Sequence, residues 1–274
     1  MVIFIHSNMK KISLVDNTPI FALRASEARM LDHHVDGYLT NGIEINDGDV
    51  VLDVGANIGV FGVRAAQKGK NVKVFCFEPI PEIAETLAKN AELVGGNQIS
   101  VCKYGVSSEN TEAEFTYFPN TPALSTLHPD QWDKDPQAFK NAVKGTMKNP
   151  PENMRWMKLI PTAFSGLIAS YLVSGRKQVK CNLKTLSTFI QESNIQKIDL
   201  LKIDCEGAEW DVLQGINKED WSKIKSLVIE VHDVDNRLKN IQELLNNQGF
   251  TKLHSEREAG LESTAMYNLF ALRS

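Results

Sequence analysis

Residues 50–59 read VVLDVGANIG, and residues 60–69 continue as VFGVRAAQKG. The first five form a short apolar run broken only by Asp53, the pattern of a buried strand. Gly55, Asn57 and Gly59 follow, then apolar residues at helical spacing up to Gly69, a residue suited to a helix end. A strand that opens through glycines into a helix lets backbone approach a ligand and presents free N–H groups to it. Outward from this unit, VKVFCFE (72–78) predicts a second strand. PEIAETLAKNAELVG (81–95) predicts a helix with Pro81 in its first turn, and ISVCKYG (99–105) a third strand. This alternation predicts an α/β fold, a mostly parallel sheet with helices on both faces.

The pattern then changes. EAEFTYF (112–118) reads as an extra strand, and residues 119–178 lose strand alternation and hold seven of the ten prolines. We expect a partly helical insertion there. Regular structure resumes with LKTLSTFIQESN (183–194) as a helix, IDLLKID (198–204) as a buried strand, AEWDVLQG (208–215) as a short helix and SLVIEVH (226–232) as a strand. RLKNIQELLNNQG (237–249) is a helix, and FTKLHS (250–255) with MYNLFALR (266–273) a terminal hairpin. Residues 22–39 look helical. The expected organisation is an N-terminal helical lid (1–47), a core (48–118 and 179–274) and a cap (119–178).

The composition is ordinary for a globular protein, with 42% hydrophobic and 23% charged residues over 274 positions. A net charge of −4 excludes a globally basic nucleic-acid binder. Cys76, Cys102, Cys181 and Cys205 are scattered without a CxxC pair, which fits reduced thiols in the cytoplasm. The start places an apolar run before lysines, the reverse of a signal peptide, and residues 159–173 are too short and proline-broken to span a bilayer.

The glycine turn lacks the first glycine of a nicotinamide-binding G-x-G-x-x-G. Asp53 stands before it instead. A carboxylate there repels a pyrophosphate but suits a ligand with a cationic amino group, such as S-adenosylmethionine. Glu78 ends the next strand, at the spacing where an acid accepts hydrogen bonds from ribose hydroxyls. Each has a structural alternative, as a turn cap or a helix-entry acid. Lys202-Ile-Asp204-Cys-Glu206-Gly-Ala-Glu209 ends the fourth sheet strand, where ligands bind in open α/β sheets. Asp204 and Glu209 are also acids of the kind that favour a helix start.

Together DVGANIG, FEP, KIDCEGAEWDVLQG and IEVH, in this order, resemble the FkbM family of S-adenosylmethionine-dependent methyltransferases. The resemblance implies a Rossmann-like, class I methyltransferase fold, with seven strands of which the last is antiparallel. It also implies O-methylation of natural products such as polyketides, nonribosomal peptides or sugars. The expected cofactor-binding set is Asp53, Gly55, Ala56, Asn57, Gly59, Glu78, Pro79, Gly105, Val106, Ser107 and Asp204. The expected catalytic set is His232, Asp204 and Glu206. By alternation Glu230 and His232 share a face, and His232 is expected as the general base, with His33 or His34 as substitutes if the lid reaches the site. Asp204, Glu206, Glu230 and Asp233 are the oxygen ligands a divalent metal would use, but no metal is expected. Rival functions are N-methylation and a non-catalytic S-adenosylmethionine-binding module. Residues 136–180 carry Lys140, Lys144, Lys148, Arg155, Lys158, Arg176, Lys177 and Lys180 against the single acid Glu152. This asymmetry leads us to expect a cap that docks an acidic acyl carrier protein; its bland reading is a solvated cationic face.

Overall fold

The computed structural model describes residues 9–95, 97–129, 136–148, 150, 152–257 and 265–273. A hairpin of β1 (Lys10–Ser13) and β2 (Pro19–Ala22) comes first, then α1 (Ala25–Tyr38). The lid is therefore not helical throughout: β1 and β2 pair antiparallel ahead of the helix, and residues 1–8 lie outside the described residues. The core then runs β3 (Val50–Val54), α2 (Val60–Lys68), β4 (Lys73–Phe77), α3 (Pro81–Val94) and β5 (Ile99–Cys102). Next come β6 (Gly105–Val106), β7 (Thr111–Tyr117), α4 (Pro136–Lys148), α5 (Ser165–Leu172) and β8 (Lys177–Lys184). The chain closes with α6 (Leu186–Glu192), β9 (Leu200–Ile203), α7 (Glu209–Gln214), β10 (Ser226–His232), α8 (Arg237–Asn247), β11 (Lys252–Glu256) and β12 (Met266–Leu272).

The main sheet has seven strands in the order β11-β12-β10-β9-β3-β4-β5. Neighbours from β10 to β5 are parallel, and β12 runs antiparallel to both β10 and β11. This is the expected Rossmann-like α/β sheet. Period-two alternation sends side chains to two separate cores. Val51, Val74, Leu200 and Val228 face a cluster with α1, α2 and α3. Leu52, Phe77, Leu201 and Ile229 face another with residues of α6, α7 and α8. The same alternation puts Asp53, Lys202, Asp204, Glu230 and His232 on the side of α1 to α3. That face is apolar at its centre and charged at the strand ends.

A second sheet, order β6-β8-β7, was only half foreseen. β7 matches the predicted extra strand. β8 was absorbed into the insertion and the helix after it, because its lysines hide an alternation in which Val179, Cys181 and Leu183 point inward. The insertion has its own small core of Phe139, Val143, Met147, Met157 and Ala169. Among the described residues no helix is long and apolar enough to cross a membrane.

The crossing of β3 into α2 sits against the loop after β9. Gly55 has φ +74°, and a Cβ there would lie 1.7 Å from the Asp204 carbonyl oxygen. Gly48 has a similar φ of +78° but nothing within 4 Å of an added Cβ. Comparing the two isolates the clash from the backbone strain. In urea denaturation we expect Gly48→Ala to cost about 1 kcal/mol, and Gly55→Ala at least about 2 kcal/mol more.

Candidate active site

Beyond the carboxyl ends of β3, β4 and β9 lies a narrow cleft, at the place where open α/β sheets bind their ligands. Its floor is Gly55, Asn57, Glu78 and Pro79, continuing to Asp204, Cys205 and Glu206. Phe115, Pro122, Ala123 and Ser125 close the other side. Glu78 is almost fully buried at the end of β4, where its carboxylate accepts the N–H groups of Asn57 (3.1 Å) and Ile80 (2.9 Å). Burial outweighs those bonds and lifts its pKa to about 7. Each oxygen keeps a lone pair for a further donor.

Asp53 and Lys202 face each other in the β3/β9 register. Lys202 is buried, with Nζ 3.1 Å from Asp53, 3.2 Å from Asp204 and donating to the Gly55 carbonyl at 3.2 Å. Burial alone would lower its pKa, but the two carboxylates outweigh it and hold the ammonium charged. Tyr38, at the end of α1, points its hydroxyl at Asp204 (3.1 Å) and Glu230 (3.0 Å). α1 is thus anchored on the strand ends. Further along the same helix Glu27 accepts the Ala123 N–H at 2.6 Å, and Arg24, just before it, donates to the Pro119 carbonyl at 2.8 Å. These bonds hold down the strap that roofs the cleft. Burial raises Glu27 to about 7, against the opposing Ala123 bond.

A second charged group lies beside Asp204. His232 has Nδ1 3.1 Å from Glu209 and Nε2 3.4 Å from Glu206. Burial alone would lower its pKa, but the paired carboxylates override it and hold His232 well above an ordinary histidine. Glu209 is pushed below its usual range: burial opposes this, but His232, the Gly207 N–H and Arg237, 3.1 Å away, prevail. Glu206 moves the other way, since its burial is only partly offset by His232. Glu206 adopts φ +49°, a strained region for a non-glycine residue, worth about 1–3 kcal/mol. The Thr126 hydroxyl helps secure it by donating to its carbonyl at 2.6 Å.

A sequence profile of the methyltransferase FkbM domain matches residues 53–252. A 31-O-demethyl-FK506 methyltransferase FkbM from Streptomyces tacrolimicus is 31% identical over 97% of this chain and 98% of its own. The chain belongs to the FkbM methyltransferase family. It is an S-adenosylmethionine-dependent methyltransferase. The AMB antimetabolite synthetase AmbE of Pseudomonas aeruginosa is 31% identical over 86% of this chain, which covers 11% of that protein. The crystal structure of a methyltransferase FkbM from Methylobacillus flagellatus KT superposes with a TM-score of 0.45 at 14% identity, over 84% of this chain and 45% of that one.

Of the residues singled out by the FkbM resemblance, Gly55, Asn57, Glu78, Pro79, Asp204 and Glu206 line one cleft. Ala56 and Gly59 do not line it. The direct ligand contact expected of Asp53 is corrected: it has no exposed surface and lies against Lys202. Gly105, Val106 and Ser107 also stand outside the wall, because β6 pairs with β8 and the Ser107 N–H is taken by the Lys184 carbonyl. His232, expected as the base, lies between two carboxylates that favour its protonated form, and this works against its taking a proton. His33 is exposed, and His34, whose pKa burial lowers, feels the Asp204 charge without joining the wall. Asp233 caps α8 through the Leu238 N–H, and among the described residues no group of three potential ligands is placed to hold a metal. Sequence reasoning gave no role to Lys202, Tyr38, Arg237 or the strap. A lysine inside LLKID was the one readable sign, since a charge in a buried strand demands a partner.

In this FkbM-family fold His232 is also a stability element. Its raised pKa means the contribution is full below the unfolded value near ~6.5 and disappears as pH rises through the folded value. Glu209, shifted down, contributes above its unfolded value and loses this as pH falls. His232→Ala should cost about 3–5 kcal/mol at neutral pH by leaving buried carboxylates uncompensated. In guanidinium denaturation that deficit should shrink steadily toward alkaline pH.

Proposed function

We propose that this enzyme methylates a hydroxyl oxygen of a small-molecule or carrier-borne acceptor, with Glu206 receiving the hydroxyl proton. The observation that carries the reading is that Glu78 and Glu206, which follow the strands on either side of β3, line one cleft. On this reading one carboxylate would meet the ribose and the other would take the hydroxyl proton. The relative from Streptomyces bears a name that puts its acceptor at an oxygen, which supports the choice of hydroxyl. Four free cysteines go with a reducing, cytoplasmic setting.

S-adenosylmethionine supplies a methyl group already activated by a sulfonium centre. The chain's own part is to hold, orient and dry the reacting groups. The Gly55–Asn57 turn and Glu78 hold the nucleoside end. Asp204, fixed by Lys202 and Tyr38, orients the reacting end. Glu206 is a stronger base than an ordinary carboxylate because burial raises its pKa. His232 is a positioning residue: its positive charge limits how far burial raises Glu206. An amine acceptor needs less proton removal, so N-methylation leaves the Glu206–His232 pair without a task.

Release of S-adenosylhomocysteine from hydroxyl acceptors and their amine analogues tests the reaction. Turnover of the hydroxyl compounds is expected, and equal turnover of amines in Glu206→Gln would overturn it. With hydroxyl acceptors Glu206→Gln should lower kcat about 10²–10⁴-fold and leave cofactor affinity intact. His232→Gln should move the acid limb of the rate profile to higher pH, because it removes the charge that holds Glu206 down. Separately, Glu78→Ala should weaken cofactor binding at least ~10-fold by calorimetry, as charge-assisted bonds are lost. Wild-type affinity should strengthen as pH rises through about 7, where Glu78 ionises, and Glu78→Gln should abolish that dependence.

A further inference from the structure

Seven large hydrophobic side chains are well exposed among the described residues, and five of them are Trp156, Leu159, Phe164, Leu167 and Tyr171. Leu159 is 86% exposed, Leu167 69% and Tyr171 60%. Scattered apolar residues are normal on a surface, but a concentration is not. Phe164, Leu167 and Tyr171 are spaced three and four apart on and beside α5, which puts them on one face. The opposite face buries Ser165 and Ala169.

α4 carries a complementary pattern. Phe139, Val143 and Met147 are buried in the insertion's core, and the next residue after each is Lys140, Lys144 and Lys148, all exposed. The three lysines form a ladder about 12 Å long at 1.5 Å per residue. The ladder runs beside the apolar ridge: an added Cβ at Gly166 would lie 3.2 Å from Lys140 Cε. The ridge is tied to the cleft as well. The Asn120 amide donates to the Tyr171 carbonyl at 3.0 Å and to the Ser174 hydroxyl at 3.1 Å, and the same strap continues to the roof residues Pro122, Ala123 and Ser125.

We infer that this ridge and ladder dock an acidic carrier protein that delivers the acceptor to the cleft. The inference rests on the hydroxyl-methylation reading for what is delivered, but not for the docking itself. Charge decides between a compact acidic protein and an anionic lipid surface, since both suit aromatic residues rimmed by lysines. Residues 136–180 carry eight basic side chains and one acid, a net +7; removing that from the chain's −4 leaves −11 on the remainder. A lipid sheet faces the acidic remainder as well as the cap. A small protein touches the cap alone, and beyond ~8 Å the rest is screened.

Binding is measured with a purified acyl carrier protein bearing a hydroxyacyl-phosphopantetheine arm, beside vesicles containing phosphatidylserine. Turnover is measured with that carrier and with the same hydroxyacyl group as a free pantetheine thioester. The carrier should bind, weaken with salt, and lower KM at least about tenfold relative to the free thioester. Lys140→Glu, Lys144→Glu and Lys148→Glu together should abolish binding and the KM advantage, and Leu167→Ser with Tyr171→Ser should do the same. Both variants should methylate the free thioester like wild type, which shows that they fold. Carrier binding without turnover of either acceptor would defeat the hydroxyl reading and leave docking supported. Absence of carrier binding, indifference to the substitutions, vesicle binding in its place, or a dimer in sedimentation that the Leu167→Ser and Tyr171→Ser changes dissociate would each overturn the inference.

Discussion

The ammonium of Lys202 is the interaction on which the cleft depends. It meets Asp53, Asp204 and the Gly55 carbonyl within 3.2 Å, beneath the rings of Tyr38 and Phe61. Taking such a charge out of water costs several kcal/mol unless partners replace the lost hydration. Three oxygens do so here, and they come from β3, from the turn after it and from the end of β9. The glycine turn and the loop carrying Asp204 and Glu206 are therefore pinned to one cation. Their relative position is set before any ligand arrives, which is what alignment of two reacting groups requires.

The lid and the strap inherit their positions from this pin. Asp204, held by Lys202, is what the Tyr38 hydroxyl meets, so α1 is registered against the same cation at one remove. From α1 the order passes through Glu27 and Arg24 to residues 119–123, which close the cleft opposite Glu78. Thr126 completes the ring by bonding back to Glu206. Floor and roof belong to one network. A change in α1 can therefore reach the acceptor side without touching either ligand.

The sheet was legible because its signals are local. Each of the two early strand–helix steps has its own apolar run, its own period and a glycine or proline at its boundary. The ends of β4 and β9 were legible for the same reason, and Glu78, Asp204 and Glu206 fall where topology puts strand ends. What was not legible depends on meetings between distant segments. Tyr38 is 166 residues from Asp204, and nothing near Tyr38 in sequence announces that partner. The surroundings of His232 were not legible because strand alternation locates a side chain but says nothing of what returns to face it. Glu209 arrives from α7 and Glu206 from the turn before it, and together they favour the charged form of the ring. β8 was missed because its solvent face is rich in lysine, which masks a short alternation.

The balance of charge at this end of the sheet has a chemical consequence. Asp53, Asp204, Glu206, Glu209 and Glu230 stand among Lys202, His232 and Arg237, so carboxylates outnumber cations. Such a floor holds a cationic ligand more firmly than the same ligand once its charge has gone. Methyl transfer removes the positive charge from sulfur. This change reduces the local attraction between protein and spent cofactor. The arrangement that favours a cationic reactant therefore favours the spent cofactor less. Lys202 limits the effect, because without it the excess of carboxylates would repel one another and the glycine turn would lose its hold on the loop at Asp204.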